Sequence, residues 1–230
     1  MARLDGRDAN VSRELTIVRN FTNYSLGSVL IATGDTKVLC TASVEDRVPH
    51  FLKDSGQGWL TAEYSLLPSS TSTRVQRELN KGRPSGRTNE IQRLIGRSLR
   101  AAIDLKRLGE RTIHIDCDVL QADGGTRTAS VTGAMIALAD ACAVLVARRS
   151  LVVSPIIALV TAVSVGIVDG VPVSDLTYEE DSRADVDMNI VMANAETFVE
   201  VQGTAEKSSY SRSELDAMLG IAQESLKNMN

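Results

Sequence analysis

Residues 122–147 have the sequence ADGGTRTASVTGAMIALADACAVLVA, in which a polar entrance leads into a long, weakly polar run. From Ala129 to Ala147 the run is interrupted by Ser130, Thr132 and Asp140. A membrane-spanning helix needs about 20 predominantly apolar residues, so these interruptions favour a helix in the core of the protein. We therefore predict a core helix here and no membrane partner.

The entrance itself, ADGGTRTAS (122–130), has the features of an anion-binding site. The first N–H groups of a helix lack acceptors within it, the helix dipole adds positive potential, and paired glycines let an anion approach the backbone. An arginine supplies a fork of donors suited to phosphate oxygens, and three hydroxyls add further donors. The predicted phosphate-binding residues of this entrance are Gly125, Thr126, Arg127, Thr128 and Ser130.

The same spacing also fits a purely structural role. Gly124 and Gly125 would then make a tight turn, Thr128 or Ser130 would cap the helix, and Arg127 would face water. The pattern is neither a Walker motif nor a Rossmann fingerprint, so spacing alone leaves both interpretations open.

A second informative stretch is YEEDSRADVDMN (178–189). If its second half is an extended strand, Asp185, Asp187 and Asn189 share one face and the apolar residues between them share the other. Crowded carboxylates resist joint ionisation, which Mg²⁺ relieves, or else one of them keeps a proton and acts as a general acid. An acidic, solvated edge strand explains the pattern equally, and periodicity does not choose among Asp181, Asp185 and Asp187.

Basic residues are concentrated in one part of the chain. The formal net charge is -4, yet Arg74 to Arg111 contains eleven Lys and Arg against four Asp and Glu, a local charge of +7 that leaves -11 elsewhere. An anion-binding entrance, a carboxylate cluster and a basic segment together suggest phosphoryl transfer on a polyanion.

Hydrophobic patterning predicts a hairpin followed by an amphipathic helix. The arms Ser28–Thr33 and Lys37–Val44 alternate around the turn Gly34-Asp35, and Thr88 is predicted to cap a helix that ends at Gly109. The apolar face of that helix consists of Ile91, Leu94, Ile95, Ser98, Leu99, Ala102 and Leu105. Its opposite face carries Arg93, Arg97, Arg100 and Arg107.

The remaining segments complete an α+β pattern. Strands are predicted at Thr112–Leu120, Ile156–Val168, Asp185–Met192 and Phe198–Gln202. Ser211-Arg-Ser-Glu214 is a capping box that opens a final amphipathic helix. We therefore expect a single domain over residues 1–230, an α+β fold of mixed β-sheets with packed helices.

Cysteine usage and the N-terminus predict the compartment. Cys40, Cys117 and Cys142 are scattered among apolar neighbours, which is typical of reduced core residues rather than of a disulfide framework. The N-terminal sequence MARLDGRDANVSREL is charged and lacks the apolar stretch of a secretory signal. We expect a cytoplasmic protein.

The sequence resembles the bacterial ribonuclease PH family in motifs that occur in the same order along most of the chain. The matching motifs are Leu4-Asp-Gly-Arg7, Gly27-Ser-Val-Leu30, Gly34-Asp-Thr-Lys37, Gly58-Trp-Leu-Thr-Ala-Glu-Tyr64, Ser85-Gly-Arg-Thr88, Ile91-Gln-Arg-Leu-Ile-Gly-Arg97, the run 115–129, the run 178–189 and Val201-Gln-Gly-Thr-Ala205. The resemblance implies a fold similar to ribosomal protein S5 domain 2. It also implies a phosphate-dependent 3′→5′ exoribonuclease, formally a tRNA nucleotidyltransferase, that trims tRNA precursors and other RNAs.

In that family inorganic phosphate is the nucleophile, nucleoside diphosphates are released, and the reverse reaction adds nucleotides. The resemblance implies that Thr126 and Arg127 hold the attacking phosphate and that Arg87 lies close to the phosphate or to the RNA end. It assigns Asp181 and Asp187 as ligands of Mg²⁺, or of Mn²⁺, and one of them as the general acid. Together with Arg127, these two aspartates are the expected catalytic residues, whereas the role of Asp185 stays open.

The resemblance further implies a homo-hexameric ring, a trimer of dimers, that draws RNA toward its centre. We expect RNA contacts from the loop that carries Arg74 and Arg77, and from Arg93 and Arg97. Two departures are visible: Ser69 stands where many relatives carry arginine, which predicts weaker RNA capture, and many relatives continue further beyond the position of Asn230.

Overall fold

The computed structural model describes residues 3, 5–78, 82–207 and 209–229. The first five strands are β1 (Leu15–Arg19), β2 (Gly27–Thr33), β3 (Thr36–Glu45), β4 (Trp59–Leu66) and β5 (Thr112–Gln121). They form one sheet in the order β1-β2-β3-β5-β4, in which β4 runs parallel to β5 and the other neighbours are antiparallel. The hairpin prediction is confirmed, because β2 and β3 pair with Thr33 opposite Thr36.

A second sheet is built from the later strands. These are β6 (Val160–Val168), β7 (Val171–Ser174), β8 (Val186–Ala193) and β9 (Thr197–Ala205). They are antiparallel in the order β7-β6-β8-β9. β6 starts at Val160 rather than at the predicted Ile156, because Ile156 instead makes an isolated bridge with Ile103.

The first two helices differ from the prediction at both ends. α1 (Gly86–Arg100) is capped by Ser85, whose hydroxyl accepts from the N–H of Thr88 at 3.1 Å, so Thr88 is not the cap. The helix ends at Arg100, and Gly109 instead follows the short helix α2 (Leu105–Leu108), which Asp104 caps. The residues of the predicted apolar face that lie in α1 are buried, whereas Leu105, the last residue of that predicted face, lies in α2 and is only partly buried.

The prediction of a core helix at 129–147 is confirmed. α3 (Thr126–Ala147) packs against β2 and β3 of the first sheet and against β6 of the second. It is long and apolar enough to cross a membrane, but 72% of its most apolar stretch is buried inside the protein. Asp140, the charged side chain in the apolar part of this helix, accepts a hydrogen bond from Arg19 Nε at 3.1 Å.

Two further helices flank the second sheet. α4 (Tyr178–Arg183) lies in the acidic stretch, where periodicity did not indicate a helix, and α5 (Arg212–Lys227) packs on β6 and β7. α4 forms because Thr177 and Glu180 make a capping box. The predicted capping box of Ser211 and Glu214 is confirmed at the start of α5.

Buried ion pairs connect the N-terminal segment to α4 and to the loop before it. Arg3 Nε and Nη2 donate to the two carboxylate oxygens of Glu180 at 2.7 and 2.6 Å. Arg13 Nε and Nη2 donate to the carboxylate of Asp175 at 2.9 and 2.7 Å, and Arg13 Nη1 donates to the carbonyl of Asp123. Arg13 therefore links the loop before α3 to the loop before α4.

Replacing Arg13 by alanine is expected to destabilise the protein by about 3 kcal/mol, because the buried Asp175 carboxylate would lose its main charged partner. Among the described residues, that carboxylate would keep only the backbone N–H of residue 13 and Arg7 Nη1 at 3.4 Å. A thermal melt should show a midpoint lower by roughly 6–12 °C. The matched control is Arg47→Ala, which removes an exposed pair with Glu45 and should leave the midpoint unchanged. An equal shift in both variants would contradict the role given to Arg13.

The stability from this pair should also depend on pH. Burial alone would raise the pKa of Asp175, but the hydrogen bonds and charge of Arg13 outweigh burial and hold that pKa below its ordinary value of 3.8. The stabilisation from the Arg13–Asp175 pair is therefore complete above about pH 4. It is lost as the pH falls through the lowered pKa of Asp175 in the folded protein.

Candidate active site

A cavity of about 750 Å³ opens between the start of α3 and the second sheet. One side is formed by α3 and the loop before it, together with residues from β4 and α1. The rest of the lining comes from α4, from β8 and from the end of β9. The described polar residues that line it include Tyr64, Arg87, Thr126, Arg127, Ser164, Asp181, Asp187, Asn189, Thr204, Glu206 and Lys207.

Two glycines shape the entrance to α3. Gly124 and Gly125 have φ values of +69° and +64°, in the left-handed region that favours glycine. A Cβ on Gly124 would lie 2.4 Å from the carbonyl oxygen of Leu176, so the loop can approach α4 this closely only without a side chain. The Thr36 hydroxyl holds the same loop by donating to the carbonyl of Gly124 at 2.6 Å.

Four of the predicted phosphate-binding residues line the cavity: Arg87, Gly125, Thr126 and Arg127. Thr126 begins α3, and Tyr64 donates from its hydroxyl to Thr126 Oγ1 at 2.9 Å. The first N–H groups of this helix have no acceptors in the helix itself, and the residues at its start line the cavity.

Only some of the N–H groups of the Arg127 guanidinium donate a hydrogen bond to the described residues. Its Nη2 donates to Glu90 Oε2 at 3.1 Å, and its Nε is buried without a hydrogen-bond partner among the described residues. The side chain is 18% exposed, so it is held at the edge of the cavity rather than extended into water. This placement argues against the alternative in which Arg127 simply faces solvent.

The other two predicted phosphate ligands lie elsewhere. The hydroxyl of Thr128 donates to the carbonyl of Gly125 at 2.9 Å, and that of Ser130 donates to the carbonyl of Thr126 at 2.7 Å. Both residues are buried and neither lines the cavity. Their hydroxyls satisfy carbonyls at the start of their own helix, and neither side chain is the N-terminal cap, a position occupied by Gly125.

Two of the three candidate aspartates meet in the cavity, from different elements. Asp181 lies on α4 and Asp187 on β8, and both line the cavity. Asp185 lies between these elements, does not line the cavity, and is 3.9 Å from Lys207 Nζ through its Oδ1. The apolar residues Val186, Met188 and Ile190 face the core, as predicted.

The two aspartates have raised pKa values. Burial, and then the negative charge of Asp181, raise the pKa of Asp187 to about 6, against the lowering effect of Arg127. Burial also raises the pKa of Asp181, while the positive charges of Arg87 and Arg127 act in the opposite direction. A carboxyl group with a pKa near 6 can carry a proton for transfer at neutral pH.

The donor set fits Mg²⁺. Hard divalent cations prefer oxygen ligands, and Mg²⁺ in phosphoryl-transfer sites usually binds one or two carboxylates together with water and substrate phosphates. Asp181 and Asp187 supply such a pair, whereas the described residues contain no group of three or more His, Cys, Asp or Glu that could hold a metal alone. An ion here would therefore depend on the substrate for further ligands.

The predicted RNA-binding arginines lie outside the cavity lining. Arg74 and Arg77 are exposed on the segment between β4 and α1, and Arg93 and Arg97 are exposed on α1. Arg97 Nε donates to Glu200 on β9 at 2.7 Å, so its positive charge is partly neutralised.

Sequence reasoning missed the residues that β9 contributes. Thr204 pairs with Asp187 across the strands, and Gln202 pairs with Asn189, so these side chains share a face of the sheet. Glu206 follows on the same face and lines the cavity. Strict alternation in EVQGTAE (200–206) could have indicated this face, but only the strand register shows that it lies beside Asp187.

Comparisons with known proteins agree with this architecture. The model of the 3′ exoribonuclease family, domain 1, matches residues 12–143, and the model of domain 2 matches residues 158–225. The boundary falls between α3 and β6, which separates the two sheets. The expectation of one domain over residues 1–230 stays a prediction.

Three solved structures have the same fold. The "Archaeoglobus fulgidus exosome with RNA bound to the active site" has a chain that is 24% identical, with a TM-score of 0.85, covering 99% of this chain and 91% of that one. An "Archaeal exosome core" chain is 22% identical, with a TM-score of 0.79 and coverages of 99% and 89%. Rice (Oryza sativa) Rrp46 is 19% identical, with a TM-score of 0.75 and coverages of 99% and 98%. Because the two family models together match most of the sequence, this chain belongs to the 3′ exoribonuclease family.

Proposed function

We propose that this protein is a phosphate-dependent 3′→5′ exoribonuclease of the bacterial ribonuclease PH type. It would remove 3′ nucleotides from tRNA precursors and other RNAs as nucleoside diphosphates and add nucleotides in the reverse direction. One observation carries the proposal: Arg127 and the start of α3 line the same cavity as Asp181 and Asp187. A hydrolase would use water as the nucleophile and would have little use for an anion-binding helix end.

The geometry suggests how the residues share the reaction. Inorganic phosphate would bind at the first N–H groups of α3, at Thr126 and at Arg127, with Arg87 beside it. An oxygen of that phosphate bonds to the phosphorus of the last phosphodiester, and the bond from phosphorus to the 3′ oxygen breaks. The leaving 3′ oxygen takes a proton, so the products are a nucleoside diphosphate and an RNA one nucleotide shorter.

The carboxylates would act on the leaving side. The raised pKa of Asp187, about 6, supports its role as the acid that protonates the 3′ oxygen. Asp181, together with Asp187 when it is ionised, would also hold Mg²⁺ or Mn²⁺, which supplies positive charge to the transferring phosphoryl group when bound. Arg127 contributes the remaining charge, and positioning of both substrates accounts for much of the rate.

The proposal includes the assembly and the compartment. We place the enzyme in the cytoplasm as a homo-hexameric ring, a trimer of dimers, with the arginines around Arg74 at the RNA entrance. The solved relatives from exosome cores, one of which has RNA bound at its active site, support an RNA-binding assembly of similar subunits. Light scattering of the purified chain should give six times the mass of one chain.

The decisive test uses a 3′-extended tRNA and Mg²⁺, with and without inorganic phosphate. We expect nucleoside diphosphates that form only when phosphate is present. Monophosphates formed without phosphate would establish hydrolysis instead. Bound RNA with no product in either condition would make this chain a silent RNA-binding subunit.

Removing Arg74 and Arg77 together should weaken RNA binding and reduce its salt dependence. Each lost phosphate contact lowers the slope of log K against log salt by about 0.7 for single strands, so the double alanine variant should lower the slope by about 1.4. The matched control is Arg212→Ala with Lys227→Ala, which removes equal charge from the exposed surface of α5. An unchanged slope in the first variant would place the RNA elsewhere.

A further inference from the structure

Glu90 connects Arg127 to the second sheet through two hydrogen bonds. Its Oε2 accepts from Arg127 Nη2 at 3.1 Å, and its Oε1 accepts from Gln202 Nε2 at 2.7 Å. Glu90 lies on α1 and Gln202 on β9, so three separate elements meet at one carboxylate. Neither Glu90 nor Gln202 lines the cavity.

We propose that Glu90, held in place by Gln202, is a positioning residue that fixes the guanidinium of Arg127 for the attacking phosphate. This inference rests on the proposed function. A free arginine side chain samples many rotamers, and ordering it on ligand binding weakens the binding. Because a charged acceptor restrains one Nη atom in advance, the guanidinium is oriented before phosphate arrives.

Gln202 holds the Glu90 carboxylate in place relative to the second sheet. It pairs across the strands with Asn189, which lines the cavity, and its strand neighbour Thr204 pairs with Asp187. The chain of bonds therefore relates Arg127, on the phosphate side, to the sheet that carries Asp187, on the leaving-group side. The orientation of the Gln202 amide is determined by Glu90, because the reverse orientation would place Oε1 against a carboxylate oxygen.

A competing role for Glu90 makes the opposite prediction. Its negative charge could oppose phosphate at Arg127, in which case removing the charge would strengthen phosphate binding. The Glu90 side chain is 36% exposed, so water screens its charge, whereas the hydrogen bond to Arg127 depends on direct contact. We therefore expect the positioning effect to exceed the electrostatic one.

The experiment compares Glu90→Ala, Glu90→Gln and Gln202→Ala with the parent protein. Glutamine at position 90 can still accept from Arg127 and can donate to Oε1 of Gln202 after that amide turns over, so it keeps both contacts without the charge. Glu90→Ala should raise KM for phosphate about tenfold, Gln202→Ala about threefold, and Glu90→Gln less than about threefold. KM for RNA should stay within about twofold of the parent value in all three.

The matched control is Glu196→Ala, which removes an equal charge from the exposed turn between β8 and β9 and should keep the parent KM for phosphate. Thermal melts establish that each variant is folded, and calorimetric titration with inorganic phosphate measures binding without turnover. If Glu90→Ala does not fold, the KM of Gln202→Ala for phosphate tests the inference by itself.

Two outcomes would overturn the inference while leaving the proposed function intact. A lower KM for phosphate in both Glu90 variants would mean that Glu90 competes with phosphate, and a parent-like KM in Glu90→Ala or Gln202→Ala would mean that the restraint has no effect. If the parent protein neither binds phosphate nor releases diphosphates, the proposed function fails and the inference fails with it.

Discussion

Replacing Arg127 by alanine is expected to lower kcat/KM for phosphate by about 10³-fold, because the variant loses a charged donor that the proposed mechanism uses to bind the attacking phosphate. The fold should survive, since Arg127 lies in the first turn of α3 and its side chain contacts the cavity edge rather than the core. The measurement is diphosphate release from a 3′-extended tRNA over a range of phosphate concentrations.

Arg127→Lys separates charge from geometry. A lysine keeps the positive charge but lacks the planar fork that contacts two phosphate oxygens, so we expect an intermediate loss. Circular dichroism and a thermal melt provide the check on folding. An alanine variant that unfolds would support a structural role for Arg127, and one that turns over normally would remove Arg127 from the mechanism.

Replacing Asp187 by asparagine is expected to lower turnover by at least about 100-fold while RNA binding persists. The amide has nearly the same shape, but it cannot donate a proton in the manner of a carboxylic acid and is a weaker ligand for Mg²⁺. RNA affinity should be equal to or slightly above the parent value, because one negative charge near the polyanion is removed. Single-turnover kinetics and a separate RNA-binding titration measure the two effects.

Asp185→Asn is the matched control for that change. It is the same substitution two residues earlier, at a carboxylate that lies outside the cavity lining and near Lys207. We expect turnover close to the parent value. If the control loses activity and Asp187→Asn does not, the acid has been assigned to the wrong aspartate.

Local signals in the sequence were sufficient for most of the secondary structure. The hairpin of β2 and β3, the buried α3 and the capping box of α5 were each predicted from residues that act on their near neighbours. One of the two errors has a local cause and the other has a distant one. Thr88 and Ser85 are both good capping residues, and α1 stops before Gly109 because Ile103 bridges to distant Ile156.

The candidate site was predicted only in part. Arg127, Thr126 and the glycine turn were expected at an anion site, and they line the cavity. Thr128 and Ser130 have the same chemistry in the sequence, but their hydroxyls donate to the carbonyls of Gly125 and Thr126 at the start of the helix. Periodicity also left three aspartates equivalent, since it could not indicate that a short helix precedes β8.

The sequence by itself determined the helix entrance, the acidic cluster, the alternating strands and the concentration of basic charge, because propensity, capping and charge act over a few residues along the chain. Only the tertiary structure decided that Asp181 and Asp187 share a cavity with Arg127 while Asp185 does not, and that Glu90 and Gln202 hold Arg127. The physical reason is that these contacts join residues far apart in sequence, such as Glu90 with Gln202. Whether they meet depends on strand register, on the packing of α3 between the sheets and on the packing of α1 against β4 and α3, which no local pattern specifies.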